Sequence, residues 1–473
     1  MSSTSTHAEV TAVDTAGRWP VLLLLASGLG WLVISGICAL IASIQLHSPT
    51  FMSACEWFTH GRVSALAETS FVYGWAANAG LGIALWVLGR LGGSTLRAQN
   101  WSMIGTLFWN LGITLGLGGI ATGDATSFAL LELPRYVQPL LVVAYIAIGI
   151  SGILAWSGRR TEGTYASHWY AVAALFLFPW LLIAAQTMLL WSPVRGVLQP
   201  IIDGWYVQSV FSLWLAPLAL AGAYYVVPKI TGQALPSYEF APLAFWTLLF
   251  VGTMTGGRHL IGGPVPAWIP TLANAACWMV LFHYIVVTLN LRGALTGGGT
   301  SLAFISFGLL AYLAGAVLDA VTSFRGVALV TQFTYFTTAQ QQLALYGGIS
   351  MLLFGSIYFA LPRLTGRPWN SGSFVRSHQV LAMVGIFLLV GSLAVAGLIQ
   401  GTELSNATTT FGEIAGRTRP WLLAVSVAQV LLLIGNILML VNFLRSVCVL
   451  CCSGAASEAG SFRQPTTMEV HAS

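Results

Sequence analysis

Charge is scarce in this chain. Only 7% of its 473 residues are charged, against about 25% in a soluble globular protein. A water-facing surface cannot be built from so few charges, so most of the surface must face lipid. Lysine is nearly missing, with Lys229 standing alone. Strict period-2 alternation is also missing, and the apolar runs are about 20 to 28 residues long, which excludes a lipid-facing barrel and leaves helices. The net charge of +5 comes from arginines scattered over loops, and no basic run marks a nucleic-acid partner. The six cysteines, Cys38, Cys55, Cys277, Cys448, Cys451 and Cys452, form no disulfide framework. There is no Cys-x-x-Cys-His, so the chain attaches no c-type haem itself.

What is present is a series of about twelve apolar runs, at 19–46, 63–91, 101–121, 137–156, 168–191, 201–227, 242–262, 270–292, 300–323, 338–363, 379–400 and 420–446. They predict an all-α integral membrane protein. Prolines and glycines mark most joins, as at Pro193, Pro228, Pro236 and Gly297 to Gly299. The expected organisation is a polar tail over 1–18, a single membrane domain over 19–446, and a second polar tail over 447–473. The stretch Met1 to Gly17 has no apolar core and reads as a short disordered tail, not a cleaved signal. No internal repeat is visible. With the N-terminus inside, twelve arginines and lysines fall in inner segments and seven in outer ones. This positive-inside bias places both termini in the cytoplasm.

Several motifs carry a resemblance. Trp205-Tyr206-Val207-Gln208-Ser209 opens the sixth span, and Tyr224-Tyr225-Val226-Val227-Pro228-Lys229 closes it. Gly256-Gly257-Arg258-His259-Leu260 ends the seventh. Thr322-Ser323-Phe324-Arg325-Gly326 follows the ninth, and Val395-Ala396-Gly397-Leu398-Ile399-Gln400-Gly401 lies in the eleventh. In order and spacing this resembles subunit I of the C-type (cbb-type) haem-copper cytochrome c oxidases, from about Trp205 to Arg445, with a thinner match before. The resemblance implies a haem-copper oxidase subunit I-like bundle with two b-type haems and one copper.

Those groups need imidazoles, which suit iron and copper. By the resemblance, the haem-ligand positions fall at Ala67, Gln340 and Gln342. The copper positions fall at Gln208, Arg258 and His259, the active-site tyrosine at Gly252, and the glutamate of the family's Thr-Phe-Glu-Gly at Arg325. Only His259 is still a histidine. Alanine cannot ligate, glutamine is a poor haem ligand, and arginine stays protonated. His60, between the first two spans, is the one other histidine able to approach from a loop. The expectation is therefore a chain with no catalytic residues, metal or haem of its own.

A polar network is expected in place of the metals, built from Glu68, Gln208, Arg258, Asp319, Arg325 and Gln341, with ordered water. The competing reading for Glu68, Arg258, Arg325 and Asp203 is snorkelling from span ends to the interface. Asp319 lies deeper and is expected to pair. His283, in mid-span, reads as a hydrogen-bonded core histidine. Cys448, Cys451 and Cys452 read as reduced thiols at a helix end. Trp19, Trp57, Trp101, Trp191 and Trp369 read as an interfacial belt.

The function expected is that of a non-catalytic subunit I-like component of a respiratory electron-transfer complex, with a scaffolding, assembly or proton-path role. It would sit in a bacterial inner membrane beside lipid and a membrane-anchored c-type cytochrome subunit. A transporter or channel built on the same scaffold, and a haem-binding oxidase with unusual ligands, are the alternatives.

Overall fold

The computed structural model describes the backbone of residues 3–461 and the side chains of residues 12–450. Twelve helices are long and apolar enough to cross a membrane: α1 Ala12–His47, α2 His60–Gly92, α3 Gln99–Thr122, α4 Gln138–Ser157, α5 Ala166–Trp191, α6 Leu198–Thr231, α7 Tyr238–Leu260, α8 Trp268–Asn290, α9 Thr300–Thr322, α10 Tyr335–Thr365, α11 Gly372–Leu404 and α12 Phe411–Leu450. No strand occurs among the described residues. Twelve crossings put both chain ends on one face, the near face; α2, α6 and α10 all run towards it from the far face.

These three helices form the centre. Their apolar stretches are buried along nearly all of their length, while the other nine expose roughly half or more of theirs. They meet through small residues. Trp75 Nε1 of α2 donates to Ser350 Oγ of α10 at 2.8 Å. A Cβ on Gly80 of α2 would come within 2.8 Å of Leu218 of α6, and one on Gly222 of α6 within 2.5 Å of Ser356 of α10. Each central helix also loosens into a π-helical segment at about the same depth: Ser70–Ala76, Val210–Leu215 and Leu343–Ser350. Such segments re-aim side chains and often mark functional sites. The outer helices complete three arcs: α3 to α5 between α2 and α6, α7 to α9 between α6 and α10, and α11, α12 and α1 between α10 and α2. This threefold plan lies in the architecture, where the sequence displays no repeat.

The first arc is filled. Phe178 stacks on Trp214 with ring centroids 3.6 Å apart, and Trp109 and Tyr145 close around them. Trp214 Nε1 donates to Tyr145 Oη at 3.0 Å, which satisfies the buried indole. The other two arcs are open, and there the candidate site lies.

The ends differ from expectation. The first helix starts at Ser3, inside the stretch read as a disordered tail, and the last runs on to Ser461. The N-terminal extension has a reason: Asp14 accepts from Arg90 at 2.9 Å and from Trp86 Nε1 at 3.0 Å, docking the helix against α2. Cys448 is an exposed free thiol; the side chains of Cys451 and Cys452 lie outside the described residues. Trp19, Trp57, Trp101 and Trp191 are exposed, as a belt requires. Trp369 is partly covered and donates to Tyr358 O at 3.1 Å.

Candidate functional site

A cavity of about 350 Å³ lies in the second arc. Gln208, Arg258, His259 and Gln340 all line it, together with Asp319 and Tyr312. A cavity of about 370 Å³ lies in the third arc, lined by Ala67 and Gln342 with His60, Gln429 and Asn436. The six positions singled out from the sequence are thus brought together in two groups, four around one cavity and two around the other. Glu68 and Gln341 line both cavities and form the partition between them. All lie in the far half: Gln340 is in the second turn of α10, and Glu68 and Gln208 are within about 15 Å of their helix starts at 1.5 Å per residue.

The second-arc cavity holds an ion pair. Arg258 closes a 3₁₀ segment, Gly252–Leu260, that ends α7. It pairs with Asp319 Oδ1 at 3.0 Å and donates to Gln208 Oε1 at 3.1 Å. The same Asp319 oxygen accepts from Gln340 Nε2 at 3.1 Å, and Gln340 Nε2 also donates to Thr322 Oγ1 at 3.0 Å. Each amide is therefore oriented by a charged partner. The pair is sheltered, with side-chain exposures of 10% for Arg258 and 29% for Asp319. Glu68 belongs to a separate cluster, where Gln341 Nε2 donates to its carboxylate. The predicted single network is thus two clusters facing one cavity. Arg258 and Asp319 pair instead of snorkelling, whereas Arg325 is exposed on a short far-side helix, Arg325–Thr331, and lines neither cavity. Its place beyond the end of α9 lets it reach water.

Two features were not found from the sequence. Glu132, in the loop between α3 and α4, accepts from Thr69 Oγ1 at 3.4 Å, and its burial, with the neighbouring Glu68, pushes its pKa up to about 8. Its signal was a lone acid in the apolar stretch Leu130 to Pro134. Tyr73 and Tyr206 pair at 2.5 Å between their hydroxyls beneath that loop. Asp203 lines the second-arc cavity and buries an oxygen that has no partner, where snorkelling would have brought it to water. His283 holds its expected place: it is fully buried, with Nδ1 2.9 Å from Ala244 O and Nε2 3.0 Å from Tyr312 Oη. Gly252 packs against α6, where a Cβ would sit 3.0 Å from Ser212. His259 faces the far surface, where its carbonyl accepts from Gln332 and where it lines a shallow vestibule with Tyr335 and Gln400.

The donor set can be tested against two haems and a copper. The third-arc cavity presents a methyl group at Ala67, an amide at Gln342 and one imidazole, that of His60. The second presents three amides, one imidazole, three carboxyl groups and a guanidinium already paired with one of them. Among the described residues no three His, Cys, Asp or Glu groups converge within reach of one metal ion. These residues do not fit a bis-imidazole haem or a trisimidazole copper. What they can do is bind polar groups, water and protons.

The likeness to known proteins agrees with the fold. The family model for cytochrome c and quinol oxidase polypeptide I matches residues 20–431. The chain belongs to this family, subunit I of the haem-copper oxidases. It is 22% identical over 457 residues to the Cbb3-type cytochrome c oxidase subunit CcoN1 of Stutzerimonas stutzeri, covering 92% of this chain and 96% of that one. It is 23% identical to cytochrome c oxidase subunit 1 of Rhodobacter capsulatus, over 88% of this chain and 83% of that one. A likeness over a shorter stretch is to cytochrome c oxidase subunit 1 of Thermus thermophilus, 25% identical over 56% of this chain and 48% of that one. The cryo-EM structure of a heme-copper terminal oxidase dimer shares the fold, with a TM-score of 0.71 and 14% identity over 93% of this chain and 84% of that one.

Proposed function

We propose that this protein is a subunit I-like component of a bacterial respiratory membrane complex that has lost its own haem and copper centre. One observation carries the reading. At the positions where the family resemblance places copper imidazoles and a haem imidazole, Arg258 pairs with Asp319 and donates to Gln208, and Gln340 donates to Asp319. A protonated guanidinium has no lone pair to give a metal. The chain by itself is not a terminal oxidase in this reading; it scaffolds or helps assemble a complex, and its polar cavities can carry protons. The relatives are named as subunits of cytochrome c oxidases, and the partner expected from the cbb-type resemblance is a membrane-anchored c-type cytochrome subunit. The arginine bias supports an inner-membrane orientation with both termini in the cytoplasm and both cavities in the outer half.

Co-purification tests the partnership. Mild-detergent extracts of the native membrane, captured through a tag on this chain, are run on a native gel and stained for covalent haem. A haem-staining band at fixed stoichiometry is expected. Capture of the chain alone from membranes that retain their cytochromes would favour a free-standing transporter instead.

A further inference from the structure

The second-arc cavity has an unbalanced lining. Three carboxylates border it, Glu68, Asp203 and Asp319, against the single cation Arg258. The hydrogen bonds within the wall sharpen the imbalance. Gln340 and Gln341 both spend their amide nitrogens on carboxylates, and Gln208 spends its oxygen on Arg258. The oxygens of Gln340 and Gln341 and the second oxygens of Asp319 and Glu68 have no hydrogen bond within the described chain. One Asp203 oxygen is also buried without a partner. A site in a low-dielectric bundle with acceptors to spare and three carboxyl groups to one guanidinium favours a cation that donates hydrogen bonds.

The kind of cation follows from the rest of the wall. The carboxylates are spread around the cavity, and no three of them converge as a metal site requires. Aromatic rings supply part of the lining: Phe211, Tyr284 and Tyr312, the last two with centroids 4.3 Å apart. An aromatic face attracts an organic ammonium and its alkyl substituents. A volume of about 350 Å³ is at the lower end of small-molecule sites, about 300 to 1,000 Å³. His259 and Thr337 line both this cavity and the vestibule on the far surface, which gives a route of entry.

We propose that the cavity bounded by Arg258, Asp319, Asp203 and Glu68 is a binding site for a small organic ammonium ion, entering from the far face past His259. The proposal rests on the reading that no metal centre fills this space. The ammonium hydrogens meet the free carboxylate and amide oxygens, and the alkyl part lies on the tyrosine and phenylalanine rings.

The test uses the full chain in mild detergent and titrates n-butylammonium chloride by calorimetry, against n-butanol, sodium butyrate and sodium chloride. Saturable binding of butylammonium alone is expected. Asp203→Asn and Glu68→Gln are each expected to weaken it about tenfold, the effect of removing one sheltered charge partner. Glu162→Gln, an exposed acid on a near-face loop, is expected to leave it unchanged. Where a variant fails to fold, a second readout uses the parent protein: butylammonium is expected to slow modification of Glu68 and Asp203 by a hydrophobic carbodiimide, followed by mass spectrometry. Equal binding of butanol or butyrate, no binding, or no protection overturns the proposal. Haem and metal content of the same sample separates the causes. A metal-free protein that ignores butylammonium refutes this inference alone, and stoichiometric haem in this chain refutes the functional reading beneath it.

Discussion

Removing one partner of the Arg258–Asp319 pair should harm the protein more than removing both. The charges are 3.0 Å apart. With an effective dielectric of about 20 their attraction is about 5 kcal/mol, of which desolvation returns a large part. Arg258→Met leaves Asp319 uncompensated, and breaking a buried pair from one side costs about 3–5 kcal/mol. The 29% exposure of Asp319 towards the cavity pulls the expectation to the lower end, about 3 kcal/mol. Asp319→Leu strands the more sheltered Arg258 and also removes the acceptor of Gln340, so it should be the worse single variant. The double variant Arg258→Met/Asp319→Leu should recover most of the loss, because apolar groups of similar volume replace a buried pair at little cost. The assay is the apparent thermal midpoint of all four proteins in one detergent at one scan rate, since unfolding of a large membrane chain is irreversible and only ranked midpoints are comparable. A double variant as damaged as the two singles added together would refute the claim that the two residues act as a sheltered pair.

Further outcomes follow from the same geometry. Ala67→His combined with Gln342→His sets two imidazoles facing one cavity, and the variant expressed with haem should show a bis-imidazole b-type spectrum that either single change lacks. His283→Phe removes the two hydrogen bonds that tie α8 to the Tyr312 hydroxyl and the Ala244 carbonyl in the core, and should destabilise by about 1–3 kcal/mol, read as a lowered midpoint without loss of helical signal. Glu132 gives a pH dependence. Its carboxyl is held up at about 8 from an ordinary value of 4.5, so the neutral form is favoured in the folded protein. That contribution is fully present below about pH 4.5 and is lost as pH rises through about 8. The midpoint should therefore fall between those values and fall less in Glu132→Gln; identical slopes for the two proteins would contradict the assignment.

Much of the fold was legible because lipid imposes simple demands. A run such as 379–400 must be helical, and α11 indeed covers it within Gly372–Leu404. The candidate site was legible where a motif tied it to a position: Gln208, Arg258, His259 and Gln340 meet around one cavity. Contacts made by tertiary packing were not legible. Nothing in the sequence says that α2, α6 and α10 are central, because a buried and a lipid-facing membrane helix are equally apolar. Nor does it say that Glu132 folds in from a loop to face Glu68, or that Asp14 is drawn out of a polar tail by Arg90 and Trp86. Of the two readings offered for Arg325, the far-side helix that begins there fits the interfacial one, because it turns the side chain to water.

The central claim is that the family scaffold persists here without its metals. The direct measurement is a reduced-minus-oxidised visible spectrum of the purified chain, with iron and copper determined on the same sample. The account predicts no haem bands and no stoichiometric iron or copper. Clear b-type haem bands belonging to this chain would contradict it, and would turn attention to His60, His259 and the glutamines as ligands.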